Sequence, residues 1–352
     1  MRIYFDYASL TPLDKKVARE IIKYQKKEYS NPSALYSSAV NAKNVLDDAK
    51  KRVAKVIHAH SDEIIFTSGG TESNQLVIRN SPNHIIISGI EHSSIFKNTE
   101  ATHIPVDHKG IIDLKKLKES IKPETTLVSI IYVNNETGIV EPIEEVAKIV
   151  RDYRKNNNTN FPLLHTDACQ AAVHLPVYVE KLGVDLLSLD GNKIYGARGV
   201  GVLYVKRGTL KIERPGTENI PGIMGFTKAL EIVEEGREKE TLRIKKLRDE
   251  FLEGLRKVEP RVKVNGDIDN SSPHILNVEI PDIDSEFFVL QLDSKGVECS
   301  TKSACLRDED ESYVLKAMGA NSKNSIRFSF GRYTDKKEIN KTLKIIANIL
   351  LK

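Results

Sequence analysis

The sequence predicts an α/β protein: a mostly parallel central sheet with helices on both faces, followed by a smaller α+β C-terminal domain. Two observations predict it. Short, near-continuous apolar runs alternate with helical patterns over the first two-thirds of the chain, as buried parallel strands and their connecting helices do. The polar residues best suited to chemistry, Thr71, His92, Asn135, Asp167, Gln170 and Lys193, fall near the ends of those runs. Open parallel sheets bind ligands outside the carboxyl ends of their strands.

The elements follow in order. Ala42, Leu46, Ala49, Val53 and Val56 form a helical stripe. Ile64–Thr67 is a strand, after which Ser68-Gly69-Gly70-Thr71 turns into a helix. Ile85–Ile87 is the next strand, ending near Glu91-His92. Leu127–Tyr132 is another, ending in Asn134-Asn135-Glu136-Thr137-Gly138. A helix follows from about Pro142, with proline in its first turn and Ile143, Val146 and Val150 on one face. Asn156–Asn160 reads as a loop. Three strands come next: one from Leu163 ending at Asp167, Val184–Leu189, and Val200–Val205. A long charged helix over about 226–258 bridges to shorter strands, Ile275–Glu279 and Ser325–Phe330. Thr334 is placed to cap a final helix with Ile339, Leu343 and Ile346 inward. The expected division is a large domain over 13–225 and a small one from 1–12 plus 226–352.

With 352 residues the chain is long enough for two domains. Apolar residues make up 40% and charged residues 29%, the balance of an ordinary globular protein. The 53 basic and 49 acidic residues leave a net charge of +4, without a basic patch interleaved with aromatics, so direct nucleic-acid binding is not expected. No apolar run approaches the ~18 residues of a membrane span. The first residues carry no secretory pattern, and three cysteines form neither a disulfide framework nor a paired metal-ligand motif. A reducing cytoplasm is the expected location, and no metal is expected.

Lysine after a strand is ordinarily a solvated loop residue, and aspartate at a strand end ordinarily a cap. Together, Lys193 and Asp167 are also what pyridoxal 5′-phosphate (PLP) requires: an amine to carry it covalently and a carboxylate to hold a proton on its pyridine nitrogen. Gly69-Gly70-Thr71, opening a helix, suits a phosphate. His92 suits ring stacking or acid–base work near neutral pH.

The segments FTSGGTESN, EHSS, YVNNETG, HTDACQ, DGNKIYGARGVG, GTENIPGI, SAC at 303–305 and SIRFSFGR resemble the cysteine desulfurases of the class V aminotransferase group, PLP enzymes of fold type I. The likeness runs nearly end to end. It implies roles residue by residue. Lys193 carries PLP, Asp167 pairs with the pyridinium nitrogen, Gln170 with the ring hydroxyl, and His92 stacks on the ring. Gly70, Thr71 and Asn192 serve the phosphate, and Thr217 reaches it from a partner subunit, which implies a homodimer. Asn135 and Arg327 hold the carboxylate of L-cysteine. Cys305 is the nucleophile, favoured as a thiolate by Lys302 and Arg307, and it hands sulfur to an acceptor for iron–sulfur clusters or tRNA thiolation. Cys169 and Cys299 read as structural.

The chain also departs from that pattern. Asp190-Gly191-Asn192-Lys193 stands where the family has Ser-Gly-His-Lys, Lys302 replaces a glycine, Tyr36 replaces a histidine, and the segment before Gly216-Thr217 is short. A carboxylate ~4 Å from a phosphate charge repels by roughly 4 kcal/mol at an effective dielectric near 20. Asp190 therefore either turns away, is compensated by a cation such as Arg198, or weakens PLP binding. Two alternatives follow: selenocysteine lyase or another class V reaction, and a non-catalytic dimeric paralogue.

Overall fold

The structure, a computed structural model, describes residues 2–27, 29–97, 99–302 and 311–351. In chain order it begins β1 (Ile3–Tyr4), α1 (Lys15–Lys27), α2 (Ser37–Ile57), β2 (Ile64–Thr67), α3 (Gly70–Arg79), β3 (His84–Ser88), α4 (Ser93–Phe96) and β4 (Thr102–Ile104). It continues with α5 (Leu114–Ser120), β5 (Thr125–Ser129), α6 (Ile143–Asn157), β6 (Leu163–Asp167), α7 (Val179–Leu182), β7 (Leu186–Asp190) and β8 (Gly201–Val205). After these come α8 (Ile220–Val258), β9 (Lys263–Val264), β10 (Ile275–Glu279), α9 (Ser285–Ser294), β11 (Val297–Glu298), α10 (Tyr313–Ala317), β12 (Ser325–Ser329) and α11 (Lys336–Leu350).

Seven strands form the central sheet in the order β2-β8-β7-β6-β5-β3-β4. Its inner pairs are parallel, and β8 runs antiparallel to both β2 and β7. Leu186, Leu187 and Leu189 are all fully buried, although alternate residues of a strand face opposite sides. Both faces of the sheet are therefore covered, which is why these strands read as continuous apolar runs. β10 pairs antiparallel with β12 and β9 in a second sheet, and β1 pairs parallel with β11.

Among the described residues, four clusters of buried apolar residues result, two of them large. The larger takes Leu46, Val128, Leu164 and Leu187, and the smaller takes Phe5, Phe288, Phe328 and Ile346. α8 supplies both, with Ile220 to Val233 in the first and Ile244 to Leu255 in the second. It begins at Ile220, earlier than its charge pattern suggests. Asn219 accepts a hydrogen bond from the Gly222 amide, and Pro221 sits in the first turn, where its missing N–H costs nothing. Gly225 obscures that start, yet a Cβ there would lie 2.5 Å from Ile21 of α1.

Several local expectations shift. Pro142 is the cap residue outside α6 rather than part of its first turn, and the helix runs on to Asn157. The final helix is capped by Asp335, not Thr334: Asp335 accepts from the Glu338 amide and Glu338 from the Asp335 amide, a reciprocal pair. The Thr334 hydroxyl instead accepts from the Gly331 amide at 3.0 Å. Among the described residues, no helix is long and apolar enough to cross a membrane.

Candidate active site

A cavity of about 210 Å³ opens at the carboxyl ends of β6 and β7. Gly70, Thr71, His92, Asn135, Asp167, Gln170, Asn192, Lys193 and Arg327 all line it, so the structure gathers most of the sequence-selected residues in one place. Thr217 is exposed before α8 and does not line it. Cys305 lies outside the described residues, as does Arg307.

Lys193 ends a 3-10 turn, Gly191–Lys193, that follows β7 directly. A Cβ on Gly191 would meet the Ala197 carbonyl at 2.5 Å, so this sharp exit requires glycine. The Lys193 ammonium donates to the carbonyls of Ala8 at 3.0 Å and Ser9 at 2.6 Å. The turn is anchored to the N-terminal segment a second time: Thr11 donates to the Asn192 carbonyl through both its amide and its hydroxyl.

Asp167 is the last residue of β6 and only 4% exposed. Asn74 of α3 donates to Oδ2 at 2.7 Å, and the Cys169 amide donates to Oδ1 at 3.0 Å. Gln170 is held at both ends, donating to the Ala8 carbonyl at 2.7 Å and pairing with His274 at 3.2 Å. His92 caps α4, with Nδ1 accepting from the Ser94 amide. That places the proton of a neutral ring on Nε2. Next to it, Glu91 is fully buried, and burial first, with Asp167 adding, pushes its carboxyl up to about 8.

Arg327 is 1% exposed and enters from β12. It donates to the Asn135 carbonyl at 2.8 Å and pairs with Asp6 at 2.7 Å. Its Nε and the Asn135 side-chain oxygen are buried without a protein partner. Buried polar atoms are nearly always satisfied, so such a pair at a cavity wall is a place for a polar ligand group.

The start of α3 forms the remaining wall. Gly69 has φ +154°, a backbone favouring glycine, and brings the Gly70 amide to the cavity. Asp190 does not turn away: its Oδ2 accepts from the Gly70 amide at 3.0 Å and its Oδ1 from the Asn192 amide at 2.7 Å. Arg198 is exposed. Cys169 is buried as expected but also lines the cavity, and burial raises its thiol well above the usual range.

Sequence reasoning missed Asp6, Ala8, Ser9, Asn74 and His274. Asn74 had a signal, lying four residues beyond Gly70 and so on the same helix face. Ala8 and Ser9 act through backbone carbonyls, and those leave no mark in residue type.

A lysine and an aspartate at adjoining strand ends of a seven-stranded, mostly parallel sheet define the architecture of the fold type I transferases. The chain belongs to the aminotransferase class-V family, whose model matches residues 3–215 and 209–342. Within that family it is 38% identical to a cysteine desulfurase IscS of Dictyoglomus turgidum, over 99% of this chain and 95% of the relative. It is 35% identical to the cysteine desulfurase IscS of Methanosarcina thermophila, over 99% and 92%. A solved NifS-like protein superposes with a TM-score of 0.90 at 31% identity, covering both chains completely.

Proposed function

We propose that this chain is a PLP-dependent cysteine desulfurase. It takes sulfur from L-cysteine onto Cys305 and passes it to an acceptor in iron–sulfur cluster assembly or tRNA thiolation, working as a cytoplasmic homodimer. The convergence of Lys193, Asp167 and Arg327 on one cavity carries this reading, and full-length likeness to proteins named cysteine desulfurase supports it.

The ring end of the cavity fits PLP. Lys193 offers an amine, Asp167 a buried carboxylate and Gln170 an amide. The phosphate end fits only with rearrangement, since Asp190 already uses the Gly70 amide. Bound there, PLP supplies an electron sink for the charge left when the substrate Cα loses its proton. Lys193, once its amine is free, moves that proton. Asp167 is kept in place for its ring contact by Asn74 and the Cys169 amide. The free Nε of Arg327, with Asn135 beside it, orients the substrate carboxylate. His92 holds a proton on Nε2 for exchange with the substrate thiol.

Sulfur transfer is balanced by Cys305. Its thiolate attacks the substrate sulfur, the S–Cβ bond breaks with its electron pair passing to the carbon side, Cβ takes up a proton to become the methyl of alanine, and a persulfide is left on Cys305. A second thiol then takes the outer sulfur. The test is direct. Protein supplied with PLP turns yellow, Lys193→Ala does not, and L-cysteine with a thiol reductant yields alanine and sulfide in equal amounts. Colour without alanine removes the desulfurase reading. Full sulfur release by Cys305→Ser removes the nucleophile.

A further inference from the structure

We infer that Asp190 is a built-in competitor for the cofactor's phosphate: its carboxylate occupies the anion seat at the start of α3, so phosphate enters only by displacing it. The inference rests on the reading of this cavity as a PLP site.

The geometry is specific. Helix N-termini bind anions because their first amides lack intrahelical partners and the helix dipole is positive there. Of the first amides of α3, the one at Gly70 is taken by Asp190 Oδ2 at 3.0 Å. The approach is close on both sides: a Cβ on Gly69 would lie 3.3 Å from that oxygen, and one on Gly70 would lie 3.4 Å from it. Bare glycines therefore leave a space that the Asp190 carboxylate fills. Its other oxygen caps the turn that carries Lys193, through the Asn192 amide. One side chain thus ties the lysine turn to the phosphate wall.

Three consequences follow. A phosphate gains the Gly70 amide only at the expense of a carboxylate that is already well placed. If the carboxylate stays nearby, like charges oppose each other. Moving Asp190 also loosens the turn that aims Lys193, so phosphate entry and lysine placement are coupled. The Asn192 side-chain oxygen, buried without a partner, is an acceptor and does not help bind an anion in that orientation.

The experiment uses the full chain stripped of PLP, with Asp190→Ser and Asp190→Asn as variants. Both replacements retain a side-chain acceptor for the Asn192 amide and remove the charge. Three probes are titrated: PLP by visible absorbance, pyridoxal without its phosphate by the same signal, and inorganic phosphate by shift of Tm. The expected result is PLP affinity at least tenfold higher in both variants, pyridoxal affinity unchanged, and inorganic phosphate raising Tm in the variants more than in the parent. Equal or weaker PLP binding by both variants overturns the inference. An equal gain for pyridoxal also overturns it, because the effect would then not involve the phosphate. If inorganic phosphate stabilises only the variants while PLP gives no colour with any protein, the anion-seat assignment stands and the PLP reading fails.

Discussion

At the scale of single residues, the site is built from side chains whose partners are mostly backbone. Arg327 shows the consequence. Two of its nitrogens are committed to Asp6 and the Asn135 carbonyl, which fixes the plane of the guanidinium and leaves Nε buried without a protein partner. Lysine keeps the charge but not the fork. Arg327→Lys is expected to lower kcat/KM for L-cysteine by roughly 10- to 150-fold, the cost of about 1.5–3 kcal/mol for a lost charged hydrogen bond. Most of the loss should appear in KM, and steady-state kinetics would show it. A fall in kcat at unchanged KM would place Arg327 elsewhere in the cycle. Arg327 and Asn135 were legible in the sequence through the family likeness. Asp6, which holds Arg327, was not, because a pair 321 residues apart has no local signature.

Among the elements, the strands of the central sheet were the most legible. Leu186 to Asp190 is an apolar run ending in a carboxylate, Leu163 to Asp167 also ends in one, and burial on both faces removes the alternation expected of a half-exposed strand. The sheet's edge strand β4, three residues long, went unread, as did β1, β9 and β11, each of two residues and formed by pairing with a distant segment. Helix ends were missed where caps and prolines, rather than apolar spacing, set them, as at Asn219 and Asp335. α8 carries the clearest energetic prediction. Phe251 is fully buried and meets Phe5, Phe328 and Phe330 edge to face at 6.0, 4.9 and 5.5 Å. Phe251→Ala should cost about 3–5 kcal/mol, from lost burial plus the cavity left behind. Urea unfolding would measure it; a loss below about 1 kcal/mol would mean the small core collapses to fill the gap.

The whole molecule has a pH signature written in buried groups. His165, His174 and His274 are neutral in the fold, burial holding His165 down to about 4, His174 to about 3 and His274 well below its usual 6.5. Below about pH 6.5 the unfolded chain takes up protons that these sites refuse, so stability falls as pH falls. Burial pushes Glu91 and Glu141 the other way, each to about 8 from 4.5. They keep their protons while the unfolded chain loses them, so stability also falls as pH rises from 4.5 towards 8. Three groups against two place the maximum at roughly pH 6–7, with an alkaline arm of ~1.4 kcal/mol per proton per pH unit. Urea midpoints at pH 5, 6.5 and 8 should be highest in the middle, and Glu141→Gln should flatten the alkaline side. Midpoints that climb steadily to pH 8 would contradict this.

The pairing of Asp6 with Arg327 also carries a statement about time. Ile3 pairs with Val297, the Ser329 amide donates to the Phe5 carbonyl, and the Ala8 and Ser9 carbonyls receive Lys193. During synthesis Asp6 emerges long before Arg327 and waits for the partners that finish the pocket. At 5–20 residues per second that wait is roughly 15–65 seconds for the 321 residues between Asp6 and Arg327. Most of the sheet can assemble on the ribosome, but the pocket closes only after the β12 strand carrying Arg327 has been made, so the nascent protein is chemically silent until then.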